Sequence, residues 1–374
     1  MRYLILTPHS GGGHLSLAEA LRDALPAGSA ATIVDPLPPI LNWHYRQVSR
    51  HALWLWEAEF RRSDTPRRAR ALHYAVDRLL GRRLGGLIGR LQPDMVISTS
   101  STLTCAAQQA IARGGIPAGF VTLFADAERL HATWLTARDA TATLAPTRES
   151  YAEALAAGFP PKRLHLIGWP VRAQFLAARH DRAATLGGLG LDPARFTVFV
   201  QGGGEGTAHV ARTVQRVLDA GAPQVILAAG TNERLRERFA GVPNVRALPF
   251  TRAIAPLMAA ADVIFGKAGP NALFESVMLG RPFVATTYIP GQETGNLAMI
   301  RRHGLGWVAT DPADQRALVA ALIDDRAKLA AMAASVGRYR AWNAAAARAI
   351  GPLLADLCQS RTSFILPQYS LLVQ

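Results

Sequence analysis

Short apolar runs alternate with stretches of helical periodicity along most of the chain. In the first half, runs at residues 3–7, 31–34, 95–98, 118–123 and 141–144 predict strands. The stretches 15–25, 43–60, 67–91, 102–112 and 149–157 predict the helices that accompany them. In the second half, strands are expected at 197–201, 224–228, 245–248, 263–265 and 283–286. Helices are expected there at 208–220, 233–239, 254–260, 271–279 and 293–303. Such alternation is the pattern of parallel sheets with crossover helices, so the predicted fold class is α/β. Two Rossmann-like, doubly wound parallel-sheet domains follow one another, with ligands expected at the carboxyl ends of the strands, in a cleft between the domains. Periodicity lapses and glycine accumulates from Gly168-Trp169-Pro170-Val171 to Gly187-Gly188-Leu189-Gly190, which places the join there. The expected divisions are 1–168, 169–340 and a terminal 341–374 whose alanine-rich helix is able to pack back on the first domain. No helical period is clear in residues 361–374, and they receive no role.

Length and composition agree with two packed cores. The chain has 374 residues, 49% of them hydrophobic and 18% charged, which argues against disorder. A net charge of +14, nearly all from arginine, suits an anionic partner: nucleic acid, nucleotide phosphates or an acidic membrane surface. High-GC codon usage accounts for the same arginines equally well. Cys105 and Cys358 are the only cysteines, too few for a disulfide framework or a zinc cluster, and a reducing cytoplasm is expected. Residues 1–7 lack the build of a signal peptide, and no run of about 18 apolar residues occurs, so any membrane contact is expected to be peripheral.

Four loops carry candidate chemistry. Ser10-Gly11-Gly12-Gly13-His14 follows the first strand and opens the first helix. Its glycines let backbone N–H groups approach an anion or a reacting oxygen, and His14 sits where a neutral imidazole takes a proton. A tight turn with a helix-capping histidine fits those residues as well. Gln201-Gly202-Gly203-Gly204-Glu205-Gly206-Thr207 repeats the arrangement in the second half and reads as a diphosphate cradle, or as a plain strand–helix turn. In Gly266-Lys267-Ala268-Gly269-Pro270-Asn271, Pro270 suits the first turn of a helix and Lys267 can neutralise phosphate charge. Glu275 follows one turn later, placed to accept hydrogen bonds from vicinal hydroxyls, against the alternative of a solvated glutamate. Tyr288-Ile289-Pro290-Gly291-Gln292-Glu293-Thr294-Gly295-Asn296 gathers glycines, amides and a carboxylate suited to a polyhydroxylated ligand. Together these loops point to a nucleotide-sugar.

Residues 43–90 carry a different signal, with eleven arginines, among them Arg61, Arg62, Arg67 and Arg68, against only Glu57, Glu59, Asp64 and Asp77. Trp43, Trp54, Trp56 and Phe60 are interleaved with them. That combination is expected of an interfacial element on anionic lipid, with ordinary core tryptophans beneath a solvated arginine face as the competing account. No nucleic-acid motif accompanies it, so nucleic acid is not the expected partner.

Taken together, Gly11-Gly12-Gly13-His14, residues 126–134, Gly168-Trp169-Pro170-Val171 and the three second-half loops resemble the glycolipid branch of the GT-B glycosyltransferases. The similarity is to monogalactosyldiacylglycerol synthases and processive diacylglycerol glucosyltransferases, with the lipid II glucosaminyltransferase more distant. It runs from the first strand to about residue 310. The resemblance implies inverting transfer of a hexose from a UDP-sugar to a lipid hydroxyl. It implies His14 as base, with Asp126 assisting, and Gly11, Gly12, Gly13, His131 and Trp134 on the acceptor side. It further implies Gly202, Gly203, Gly204 and Gly206 as the diphosphate loop, Phe250 and Thr251 near the base, and Glu275 on the ribose. Lys267, Gly269, Pro270, Asn271, Gln292, Glu293 and Asn296 complete the donor side, and no metal or other cofactor is expected. The chain departs from the family in reading His131-Ala132-Thr133-Trp134 where His-Pro-x-Trp is common, and Phe124-Ala125-Asp126-Ala127 where aspartate is followed by Leu or Phe. Both departures bear on the acceptor. The expectation is therefore a UDP-hexose-dependent enzyme, peripheral on the cytoplasmic face of a membrane, with a diacylglycerol-type acceptor. A UDP-sugar epimerase of the same fold, a transferase for another acceptor, and a non-enzymatic basic protein are its rivals.

Overall fold

The structure, a computed structural model, describes residues 1–9, 12–176, 180–202, 208–221 and 223–365. Two parallel sheets of six strands organise it. The first consists of β1 (Arg2–Leu6), β2 (Ala30–Val34), β3 (Met95–Ser98), β4 (Gly119–Leu123), β5 (Ala142–Ala145) and β6 (Leu164–Leu166), in the order β2-β1-β3-β4-β5-β6. The second consists of β7 (Thr197–Gln201), β8 (Gln224–Gly230), β9 (Val245–Pro249), β10 (Val263–Lys267), β11 (Phe283–Thr287) and β12 (Gly306–Val308), in the order β12-β11-β10-β7-β8-β9. Helices cover the strands, so β3, β4 and β5 are buried at every position and read as unbroken apolar or small runs.

The chain divides into two compact units. The first contains Met1–Pro170, Pro290–Gln292 and Asn343–Gln374, and the second Val171–Ile289 and Glu293–Trp342. In the first unit, the helix Pro66–Leu91 packs Leu80, Leu84 and Ile88 against Leu4, Leu6, Val96 and Leu103. Thr65 caps its start by accepting from the Arg68 amide, Pro66 takes the first turn, and Gln92 closes it in the left-handed region at φ 42°. The core of the second unit joins Val198, Val200, Leu227 and Phe265 to Val214 and Val217 of the helix Ala208–Leu218. The helix Arg326–Ala347 crosses from the second unit to the first at Asn343. There the Asn343 side chain accepts from the Trp169 amide at 2.7 Å and donates to the Trp169 carbonyl at 3.0 Å. Gly168 has φ +67°, and a Cβ there would meet the Asn343 carbonyl oxygen at 2.7 Å, so only glycine fits this junction. The last helix, Ile350–Ile365, lies in the first unit with Cys358 Sγ 3.7 Å from the Tyr3 hydroxyl.

Some elements differ from the sequence reading. The single helix expected over 43–60 is two, Pro39–His51 and Leu53–Ser63, because Ala52 leaves helical geometry at φ −140°, ψ 56°. Strands β6 and β12, and the helices Ala132–Leu135 and Arg182–Gly188, fall where no element was expected. The helix Ile350–Ile365 also runs into the segment beyond 361, which shows no clear helical period; residues 366–374 lie outside the described residues.

Candidate active site

In an open parallel sheet a ligand crevice forms at the carboxyl ends of the strands, where the strand order reverses direction. In the first sheet that point lies between β1 and β3. The two strand ends are joined there, the Thr99 hydroxyl donating to the Thr7 hydroxyl at 2.8 Å and the Thr7 hydroxyl donating to the His14 carbonyl at 3.1 Å. His14 stands in the first turn of the helix Gly12–Ala24, half-buried, with Nδ1 enclosed and without a hydrogen-bond partner. Desolvation pulls the imidazole below the usual histidine pKa, opposed by a hydrogen bond to the Thr99 backbone and by the negative charge of Asp35. Asp35, at the end of β2, is fixed by the His9 amide at 2.8 Å, the Leu37 amide at 2.9 Å and the Asn42 side-chain amide at 2.6 Å. Gly12 and Gly13 are exposed beside His14, while Gly11 lies outside the described residues.

A second polar group follows β4. Asp126 accepts from the indole N–H of Trp134 at 2.9 Å and from the His131 amide at 3.4 Å. Burial nevertheless pushes its carboxyl up to about 6, with the charges of Glu153 and Asp64 adding to the rise. His131 is buried and caps the helix Ala132–Leu135, its Nδ1 accepting from the Thr133 amide at 3.2 Å. Nε2 therefore carries the proton and donates to the Phe60 carbonyl at 3.2 Å. The two rings meet with centroids 4.6 Å apart. Asp64 ties this group together, accepting from the Ala132 amide at 2.8 Å and from Arg129 at 2.6 Å. Among the described residues no hydrogen bond joins His14 to Asp126, and Asp35 is the carboxylate whose charge acts on His14.

In the second sheet the order reverses between β7 and β10. Gly202 follows β7, and Gly203, Gly204 and Gly206 lie outside the described residues. Gln201 ends β7 with a buried Nε2 that has no acceptor, an unsatisfied donor that the sequence reading did not single out. After β10, Lys267 forms an ion pair with Glu293, whose other oxygen accepts from the Ile289 amide at 2.8 Å. A Cβ on Gly269 would sit 3.4 Å from the same Glu293 carboxylate, an ordinary contact, so the loop runs directly beside that side chain. The Asn296 side chain donates to the Ala268 carbonyl at 2.8 Å and locks the loop to the helix Thr294–His303. Pro270 and Asn271 open the helix Pro270–Met278, and Glu275 on it is buried. Arg172 Nη2 and Nε donate to one oxygen of Glu275 at 2.8 and 3.1 Å. This guanidinium, 103 positions away in sequence, carries no local signal. Gln292, assigned to the first unit, keeps a buried Oε1 without a donor. Phe250 is 62% exposed, and the Thr251 hydroxyl accepts from the Ala253 amide at 3.1 Å.

The tryptophan–arginine segment divides by exposure. Trp54 is 74% exposed and Trp43 52%, flanked by exposed Ile40, Leu41 and Leu53, whereas Trp56 is half-buried. Arg61, Arg62, Arg67 and Arg68 are exposed; Arg61 pairs with Glu57 and Arg68 donates to the Arg62 carbonyl. Among the described residues no helix is long and apolar enough to cross a membrane.

A family model described as Monogalactosyldiacylglycerol (MGDG) synthase matches residues 14–171, and one described as Glycosyltransferase family 28 C-terminal domain matches residues 197–331. The probable monogalactosyldiacylglycerol synthase 2, chloroplastic, of Oryza sativa subsp. japonica is 30% identical over 349 residues, covering 85% of this chain and 72% of the relative. The corresponding probable synthase of Nicotiana tabacum is 28% identical over 335 residues, covering 83% of this chain but 62% of the relative, so the chain spans under two-thirds of that protein. Among solved structures, TcCGT1 in complex with UDP aligns over 97% of this chain and 98% of its own at TM-score 0.63 and 12% identity. The glycotransferase of kitacinnamycin aligns over 95% and 98% at TM-score 0.62 and 16% identity. These neighbours are GT-B glycosyltransferases, and the two six-stranded parallel sheets have that fold.

Proposed function

The chain belongs to the monogalactosyldiacylglycerol synthase family, and from that premise we propose that it moves a hexose from a UDP-sugar to a lipid hydroxyl at a membrane surface. The observation that carries the reading is the His14 imidazole at the switch point of the first sheet, held neutral by burial with Nδ1 unpaired. A neutral histidine with an unpaired lone pair has the chemistry of a general base. In the proposed step the acceptor O–H gives its proton to His14 while the acceptor oxygen bonds to the anomeric carbon. The bond from that carbon to the diphosphate oxygen breaks on the opposite face, its electron pair leaves with UDP, and the configuration inverts.

On the donor side, Glu275, steadied by Arg172, is assigned the ribose hydroxyls. Lys267 and the backbone amides opening the helix Pro270–Met278 are assigned the diphosphate. In this reading a bound diphosphate takes the place of Glu293 beside Lys267, and Glu293 turns to the sugar hydroxyls. Gln292, Asn296, Phe250, Thr251 and the Gly202–Gly206 loop complete the donor assignment, and no metal or cofactor is included in it. Asp126, His131 and Trp134 are assigned to the acceptor side. Membrane contact is assigned to Trp43, Trp54 and the exposed Arg61, Arg62, Arg67 and Arg68, as a peripheral element on the inner face of the cell membrane. Calorimetry tests the donor half: UDP should bind the wild type, and Glu275→Gln should weaken it about tenfold or more. Unchanged affinity in that variant would remove Glu275 from the donor site.

A further inference from the structure

The amino-terminal end of the second sheet, opposite its glycine-rich loops, holds another concentration of charge. Ile264 pairs with Phe283 across β10 and β11, so Asp262 and Arg281 occupy neighbouring positions just before those strands. Arg182 Nη2 lies 3.1 Å from Asp262 Oδ2, and Arg182 also donates from Nε to the Pro193 carbonyl, from Nη1 to the Ala260 carbonyl and from Nη2 to the Arg195 carbonyl. Arg326 Nη1 is 3.9 Å from Asp262 Oδ1, and its guanidinium sits 4.6 Å from the Phe196 ring centroid. Arg340 brings Nη1 to 3.5 Å from the position a Gly280 Cβ would take, next to Arg281 in the chain. Asp262 Oδ2 also accepts from the Thr197 amide at 2.7 Å.

The Nε of Arg281, by contrast, is buried without an acceptor. Burial lowers its proton affinity, the Arg182 and Arg340 charges lower it further, and Asp262 alone acts the other way. A guanidinium does not lose its proton at any physiological pH, so it cannot escape this environment by neutralising. Asp262, already hydrogen-bonded, thus meets Arg182 and Arg326 directly while Arg340 acts on Arg281 beside it, and a buried guanidinium N–H without an acceptor is costly until an anion meets it. Planar guanidinium forks match the oxygens of a phosphate with two parallel hydrogen bonds, a role open to Arg281, Arg326 and Arg340, while Arg182, most of its donors already engaged, adds charge. The exposed large apolar side chains of this unit, Leu176 and Phe250, belong to other segments, which favours a soluble anion over a lipid surface.

We propose that Arg182, Arg281, Arg326 and Arg340 form a binding site for a small soluble phosphate-type anion, at the opposite strand ends from the donor loops. The test titrates the full chain, with UDP added to fill the donor loops, with inorganic phosphate and pyrophosphate at low ionic strength, following heat and Tm. Saturable binding that raises Tm is expected. Arg281→Met should weaken it about tenfold or more. The same variant should raise Tm in phosphate-free buffer, because it removes a buried N–H that lacks an acceptor. Arg340→Met repeats the test at a second position should the first variant fold poorly. Both variants should leave UDP titrations unchanged, and it is these variants that isolate the site, whether or not UDP binds. Absence of saturable phosphate binding would overturn the proposal, as would binding indifferent to both substitutions. So would binding confined to phosphatidylglycerol-containing vesicles, with none to inorganic phosphate.

Discussion

His14 meets two opposing influences: burial, which disfavours its charged form, and the Thr99 backbone with Asp35, which favour it. Burial is the larger, so the ring is expected to stay neutral to pH values below the ordinary 6.5. The acid limb of kcat/KM should therefore fall below that value, and His14→Ala should cut turnover by about 100-fold or more with UDP affinity unchanged. Full activity of the variant would remove His14 as base. Asp126 responds to pH in the opposite sense. Its folded-state pKa of about 6 stands above the ordinary 3.8, so the folded state holds a proton that the unfolded chain releases. Its contribution to stability is present below pH 4 and is lost as pH rises toward 6, a change of about 2–3 kcal/mol. Denaturant melts of Asp126→Asn should lack that decline, and parallel pH curves would contradict it. His14, Glu275 and Lys267 were legible because each stands in a local motif. Asp35, Asp64 and Arg172 were not, because each acts on a residue brought near only by folding, and one sequence carries no sign of such pairs.

At the scale of elements, the strand pattern was readable wherever a buried run reached four residues. Strands β6 and β12 have three residues each and lie at sheet edges, too short to show a period and paired on one side only. The break at Ala52 was hidden because residues on both sides favour helix, and backbone geometry alone divides them. That break leaves Trp43 and Trp54 exposed on successive helices. Trp43→Ala with Trp54→Ala should lower sedimentation with anionic vesicles about tenfold or more, while Trp56→Ala, half-buried, should act mainly on stability. Equal vesicle binding in all three proteins would end the interfacial assignment. The Lys267–Glu293 pair makes a separate prediction, because removing one partner strands a buried carboxylate. Lys267→Met should lower stability by about 2–4 kcal/mol, and adding Glu293→Gln should restore much of it without restoring donor affinity. Thermal melts and UDP titrations on the same samples separate the two effects.

The whole molecule combines two sheets of one topology class with a strongly basic surface, and its net charge of +14 fits both an anionic donor and an anionic lipid surface. Charge alone does not choose between them. Domain class was legible because two strand–helix alternations run in tandem. Residues 343–374 group with the first unit, as the alanine-rich terminal segment allowed, but the contact of Asn343 with Trp169 that fixes the boundary has no local pattern. The most direct test is to incubate the purified chain with a panel of UDP-hexoses and diacylglycerol vesicles and to weigh the products by mass spectrometry. The predicted result is a lipid heavier by one or more hexoses, formed together with UDP and lost in His14→Ala. Interconversion of free UDP-sugars without acceptor, or bound UDP-hexose with no sugar reaching any lipid, would contradict it.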